Sequence, residues 1–226
     1  IWNYSTRADV ATELANLEKI RGDKMVALGA APLADIAKDP ALLALARARG
    51  KTVFGDNCAP CHGTGGAGAK GYPNLNDDEW LWGGSLDQIM QTIQFGARSG
   101  NPKAHEGAML AFGKDGILKK DQIVTVANYV RSLSGLSTAP GFDAAAGSKI
   151  FAENCASCHG DKGKGNQELG APDLTDKIWL YGSDEATLVE TITNGRAGVM
   201  PAWIGRLDPS TIKALTVYVH SLGGGK

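Results

Sequence analysis

Charge of one sign is what this sequence conspicuously lacks. Its 23 Lys and Arg against 24 Asp and Glu leave a net charge of −1. No run of Lys or Arg builds a basic face, which argues against a nucleic-acid partner. Long apolar runs are missing too: none approaches the ~20 residues of a membrane span, and no secretory leader is legible. The chain opens on Ile1 rather than Met, which fits a processed chain or a piece of a longer one. Aromatic residues are scarce at 7%, so any core must be small or organised around something other than side chains. No stretch shows the strict alternation of a half-buried strand.

What the sequence does contain, it contains twice. "NCAPCHG" at Asn57–Gly63 returns as "NCASCHG" at Asn154–Gly160. Gly50 and Phe54 before the first cluster match Gly147 and Phe151 before the second. Further on, "YPNL" matches "APDL", Trp80 matches Trp179, "TIQFG" matches "TITNG", Met109 matches Met200, and "VANYVRSL" matches "LTVYVHSL". The first copy carries eight extra residues between Gly96 and Met109. Self-similarity of this length means two copies of one domain.

The expected architecture is all-α, two tandem cytochrome c-like domains after an N-terminal helical extension. Its boundaries are a spacer at 1–38, domain 1 at 39–135, a linker at 136–142 and domain 2 at 143–226. In each copy a helix leads into the cysteine cluster, signalled by Asp39-Pro40 and by Asp143. A middle helix covers Leu86–Phe95 or Glu185–Asn194 and stops at Gly96 or Gly195. A last helix covers Asp121–Leu133 or Pro209–Leu222, the latter capped by Asp208. Residues Arg7 to about Leu28 read as a charged, largely solvated helix. Within each copy the first and last helices are expected to touch. That would group Gly50, Phe54 and Tyr129 in one, and Gly147, Phe151 and Tyr218 in the other.

The repeated C-x-x-C-H is the attachment signature of c-type haem. Cys58 and Cys61, or Cys155 and Cys158, would bond the two vinyl groups on one porphyrin edge. His62 or His159 would then reach the iron. By chance, one such pattern arises in about one chain per thousand of this composition. Disulfides or a Cys₄ zinc site are the competing readings. Zinc needs no histidine directly after each second cysteine. A small domain with a modest core also gains from a covalent cofactor. Two haem c groups are therefore expected.

Met109 and Met200 stand at matched points and are the candidate sixth ligands, Met109 for the first haem and Met200 for the second. His/Met ligation fills both axial positions and raises the potential, which suits electron transfer rather than catalysis. Met200 is followed by Pro201, whereas Met109 is followed by Leu110. Pro73 and Pro172 lie where their carbonyls could orient the haem histidines; a plain turn role is the alternative. Arg98 and Arg196 could reach haem propionates or stay solvated. His105 could compete for iron but reads more simply as a solvated loop residue.

"NLNDDEWLWGG", "AFGKDGIL" and "IFAENCASCHG" make nearly the whole chain resemble the dihaem subunit of cbb3-type cytochrome c oxidases, the FixP/CcoP family. The resemblance implies a non-catalytic electron-transfer subunit on the periplasmic side of the bacterial inner membrane, anchored by a segment before Ile1. It implies a soluble cytochrome c as electron donor. The partners it implies are a monohaem c subunit and a catalytic subunit, where oxygen is reduced. A free c4-type carrier, the cytochrome subunit of a periplasmic dehydrogenase and a dihaem peroxidase are the alternatives.

Overall fold

The computed structural model describes residues 6–223. The ends of the expected spacer and of domain 2 (1–5 and 224–226) fall outside these residues. The described chain is helical, with isolated β-bridges but no strand. The helices are α1 (Thr6–Ala30), α2 (Leu33–Ile36), α3 (Pro40–Asn57), α4 (Ala59–His62), α5 (Leu86–Phe95) and α6 (Lys120–Leu133). They continue with α7 (Ala144–Asn154), α8 (Ala156–His159), α9 (Glu185–Asn194) and α10 (Pro209–His220). None is long and apolar enough to cross a membrane.

Local chemistry sets the helix starts. The Asp39 carboxylate accepts the N–H groups of Ala41 and Leu42 at 2.8 and 3.1 Å, with Pro40 as the first helical residue. Asp143 caps α7 through Ala146 N–H, Asp184 caps α9 through Thr187 N–H, and Asp208 caps α10 through Thr211 N–H. Each donor would otherwise be an orphan of the first turn. α5 and α9 end at Gly96 and Gly195, both at positive φ. A side chain there would also collide with the backbone of Met200 in one case and of Met109 in the other.

The tertiary packing departs from the repeat. The helix entering the first cluster, α3, packs on α10, the last helix of the second copy; α5 also packs on α10. Correspondingly α6 packs on α7 and α9. The copies run in tandem along the chain but exchange their C-terminal portions in space. One core gathers Val53, Phe54, Ile89 and Ile93 with Ile212, Leu215 and Val219. The other gathers Phe151, Leu188 and Ile192 with Phe112, Ile123, Val126 and Val130.

Two expected contacts are thereby corrected. Phe54 meets Tyr218 at a ring-centroid distance of 5.4 Å, and Phe151 meets Tyr129 at 5.5 Å. Gly50 lies against Ala214 and Tyr218, where an added Cβ would come within 2.5 Å of the Tyr218 Cβ. The boundaries at 39–135 and 143–226 follow the repeat, whereas neither core does.

The linker explains why. It is pinned to α6 and is not a free tether. Arg131 donates to the Ser137 carbonyl at 2.7 and 2.9 Å, and Ala139 N–H donates to the buried Asn128 amide at 2.8 Å. A chain turned back so soon after α6 lays α7 against it as a helical hairpin. That contact takes the α6 surface that α3 would otherwise need.

The N-terminal helix is solvated for most of its length, with Val10, Leu14, Leu17 and Ile20 all exposed. Only its end is anchored: Leu28 is fully buried with Leu33, Ile36, Ala46, Ala214 and Val217. Lys213 Nζ donates to the carbonyls of Gly29 and Ala31 at 2.5 and 2.6 Å. The spacer is thus fastened to both copies, through α3 and α10.

Candidate haem sites

Each C-x-x-C-H forms one short turn, α4 or α8, directly after α3 or α7. In each turn the first cysteine is half-buried and the second exposed. Burial and the neighbouring cysteine push both Cys58 and Cys155 up to about 11. That direction is wrong for a thiolate nucleophile. Among the described residues no three of His, Cys, Asp or Glu converge as a metal-ion site. The donor geometry therefore does not suit a Cys₄ zinc centre.

The histidines are oriented from one side. His62 Nδ1 lies 3.0 Å from the Pro73 carbonyl, and His159 Nδ1 lies 3.1 Å from the Pro172 carbonyl. Donation from Nδ1 fixes the tautomer and leaves Nε2 as a lone-pair donor. Burial lowers the pKa of His159, only partly offset by its bond to Pro172. A neutral imidazole is the form that a metal requires.

The methionines are seated crosswise. Met200 packs in the core that contains Cys58, and Met109 in the core that contains Cys155. Backbone pairing fixes this arrangement. Met200 and Ala97 exchange two bonds of 3.0 Å, while Met109 and Arg196 exchange bonds of 2.9 and 3.1 Å. The repeat led to the expectation of Met109 with the first cluster and Met200 with the second; in the fold each methionine packs beside the cluster of the other copy.

Among the described residues, two buried side-chain donors lack a partner: Trp80 Nε1 and Trp179 Nε1, at matched positions of the repeat. Each indole packs in a core with the local cysteine and methionine. Buried indole N–H groups normally find an acceptor. A large apolar group with peripheral acceptors, attached through the cysteines, would supply one in both cores. Porphyrin with its propionates meets that description, so the residues present fit haem.

Other candidates lie elsewhere. Arg98 and Arg196 are engaged by protein: Arg98 with backbone carbonyls, Arg196 with Thr191, Glu190 and the Tyr181 ring. His105 is half-buried and engaged by protein. Its Nε2 lies 3.0 Å from Thr92 Oγ1, and its ring stacks on Trp82 at 4.3 Å. The roles of Asn128 and Trp82 carried no signal in the sequence. The unpaired indoles could have been suspected from the matched positions of Trp80 and Trp179.

Comparison with known proteins bears on the same residues. A family model described as cytochrome c matches residues 47–134, and one described as cytochrome c oxidase, cbb3-type, subunit III, matches 142–219. The chain is 82% identical over its full length to the cbb3-type cytochrome c oxidase subunit FixP of Bradyrhizobium diazoefficiens, covering 78% of that protein. It belongs to the FixP/CcoP family. FixP of Azorhizobium caulinodans is 63% identical, with 76% of that protein covered. CcoP of Azospirillum brasilense is 52% identical, with 78% covered. As a FixP/CcoP chain this is a haem c-binding electron-transfer subunit of a cbb3-type oxidase, not itself the enzyme.

Proposed function

We propose that this FixP/CcoP chain carries two covalent haems c with exchanged axial methionines and relays electrons through them. Cys58, Cys61 and His62 hold one haem, whose sixth ligand is Met200. Cys155, Cys158 and His159 hold the other, whose sixth ligand is Met109. The observation that carries this reading is the seating of Met200 beside Cys58 and of Met109 beside Cys155.

Bound haem supplies an iron that cycles between ferric and ferrous. The protein's part is to keep that cycle cheap in reorganisation. Pro73 and Pro172 hold each imidazole by its Nδ1–H. Backbone pairs hold each Met loop, so neither ligand must move. Trp80 and Trp179 offer their N–H groups to the propionates. With a histidine and a methionine both bound, each iron would have no open position for oxygen or peroxide.

In this reading the chain works on the periplasmic side of the bacterial inner membrane, tethered by a segment outside the present sequence. A soluble cytochrome c donates electrons. They pass to a monohaem subunit and on to the catalytic subunit, where oxygen is reduced. Family membership supports this assignment.

The test uses a Cys155→Ala, Cys158→Ala chain, which loads haem only at Cys58 and Cys61. In that background Met200→Ala is expected to abolish the far-red Met–Fe(III) charge-transfer band, while Met109→Ala leaves it. The reverse result would overturn the exchanged ligation. A loaded wild-type chain with fewer than two haems by pyridine haemochrome would overturn the relay.

A further inference from the structure

Arg98 occupies the point where the chain leaves α5 and the two copies cross. It is the one non-glycine residue at positive φ, 51°, among those described. A left-handed conformation is strained for a residue with a Cβ. The Arg98 side chain makes contacts that offset this strain. Nε donates to the Gly198 carbonyl at 2.6 Å, and Nη1 donates to the Gly107 carbonyl. Gly198 lies two residues before Met200, and Gly107 two residues before Met109. One guanidinium therefore joins both methionine-bearing loops.

The surroundings hold the fork in place. The guanidinium lies 5.9 Å from the Trp82 ring centre, and Trp82 stacks on His105. Arg98 N–H donates to the His105 carbonyl at 2.7 Å. His105 belongs to the loop that is eight residues longer in the first copy, whereas Gly107 and Gly198 are matched glycines of the repeat. Arg196 does not reproduce the arrangement; its side-chain partners are Thr191, Glu190 and Tyr181, all in its own copy.

We propose that Arg98 is a positioning residue that locks the two methionine loops to each other, so that both axial bonds depend on one side chain. The longer loop of the first copy contributes His105, whose carbonyl accepts the Arg98 N–H and whose ring stacks on Trp82 beside the guanidinium. Arginine suits the task because its planar fork presents several N–H donors in fixed directions. Charge-assisted bonds to carbonyls, with an aromatic face alongside, keep the cation satisfied without a carboxylate. The proposal rests on Met109 and Met200 being the axial ligands.

The test compares haem-loaded wild type with Arg98→Gly and Arg98→Gln. Glycine relieves the backbone strain and removes the fork; glutamine keeps the strain and offers one amide in place of the fork. The readout is proton NMR of the reduced protein, in which each iron-bound methionine methyl gives its own strongly upfield line. Wild type is expected to show two such lines. In Arg98→Gly both lines should shift or broaden, and both haem potentials should fall in a redox titration. Arg98→Gln should move both lines as well, and it carries the test if the glycine variant does not fold. Two unchanged lines, or movement of only one, would overturn the clamp. A lower melting temperature with both lines intact would also overturn it, since that would be a purely structural role. Fewer than two lines in wild type would instead refute the ligand assignment beneath it.

Discussion

The exchange of C-terminal portions can be tested through one aromatic pair. Phe54 and Tyr218 lie 164 positions apart in the chain, yet their rings are tilted at 58° with centroids 5.4 Å apart. A tilted pair of this kind is worth about 0.5–1.5 kcal/mol beyond the area it buries. Phe54 is only 2% exposed, and truncation to alanine would cost about 3–5 kcal/mol, enough to threaten folding. Leucine is the better replacement. A double-mutant cycle of Phe54→Leu and Tyr218→Leu, measured on the haem-loaded chain by guanidinium unfolding and far-UV circular dichroism, should give a coupling of about 1 kcal/mol, near fivefold in the folding equilibrium. The parallel cycle of Phe54→Leu with Tyr129→Leu should give none beyond about 0.3–0.5 kcal/mol, because those rings belong to different cores. Larger coupling of Phe54 to Tyr129 than to Tyr218 would refute the exchange and restore two independent domains.

The remaining predictions concern pH. Burial first, then the Asp176 and Asp173 charges, push Glu79 from 4.5 up to about 7, against the hydrogen bond it accepts from Asp173 N–H. A carboxyl that protonates more readily when folded costs stability as it ionises. The denaturation midpoint of wild type should therefore fall as pH rises from 4.5 towards 7, and Glu79→Gln should flatten that slope; an equal slope would remove Glu79 as the cause. Asp208 titrates in the opposite sense. Its burial raises the pKa, but hydrogen bonds from Ser210 and Thr211 outweigh that and hold it at about 2, below 3.8. Its capping contribution is present above 3.8 and lost as pH falls towards 2. Asp208→Ala should cost about 1 kcal/mol at neutral pH. The gap to wild type should close on acidification; a gap that persists unchanged would mean the carboxylate is not the cap.

Much of the local structure was legible in the sequence. Asp39-Pro40, Asp143 and Asp208 begin helices because each carboxylate can accept an N–H two or three residues on. Gly96 and Gly195 end helices because their positive φ is inexpensive only for glycine. The Pro73 and Pro172 carbonyls face His62 and His159 across short loops of 11 and 13 residues, a range in which local chain geometry can bring them together. Arg98 and His105 were not legible. Their partners, Gly198 for one and Trp82 for the other, are distant in sequence and become neighbours only after folding.

The sequence by itself determined that the fold is all-α and that the chain is a member of the cytochrome family. It also located the cysteines, histidines and methionines, since spacing within a turn or a helix is a local property. It could not determine which methionine packs beside which cluster. Two copies built on one pattern place matching residues on their first and last helices, so either last helix could pack on either first helix. Only the tertiary structure decides between them. Asn128 and Arg131 bind the linker down, α6 folds back on α7, and α10 is left as the partner of α3.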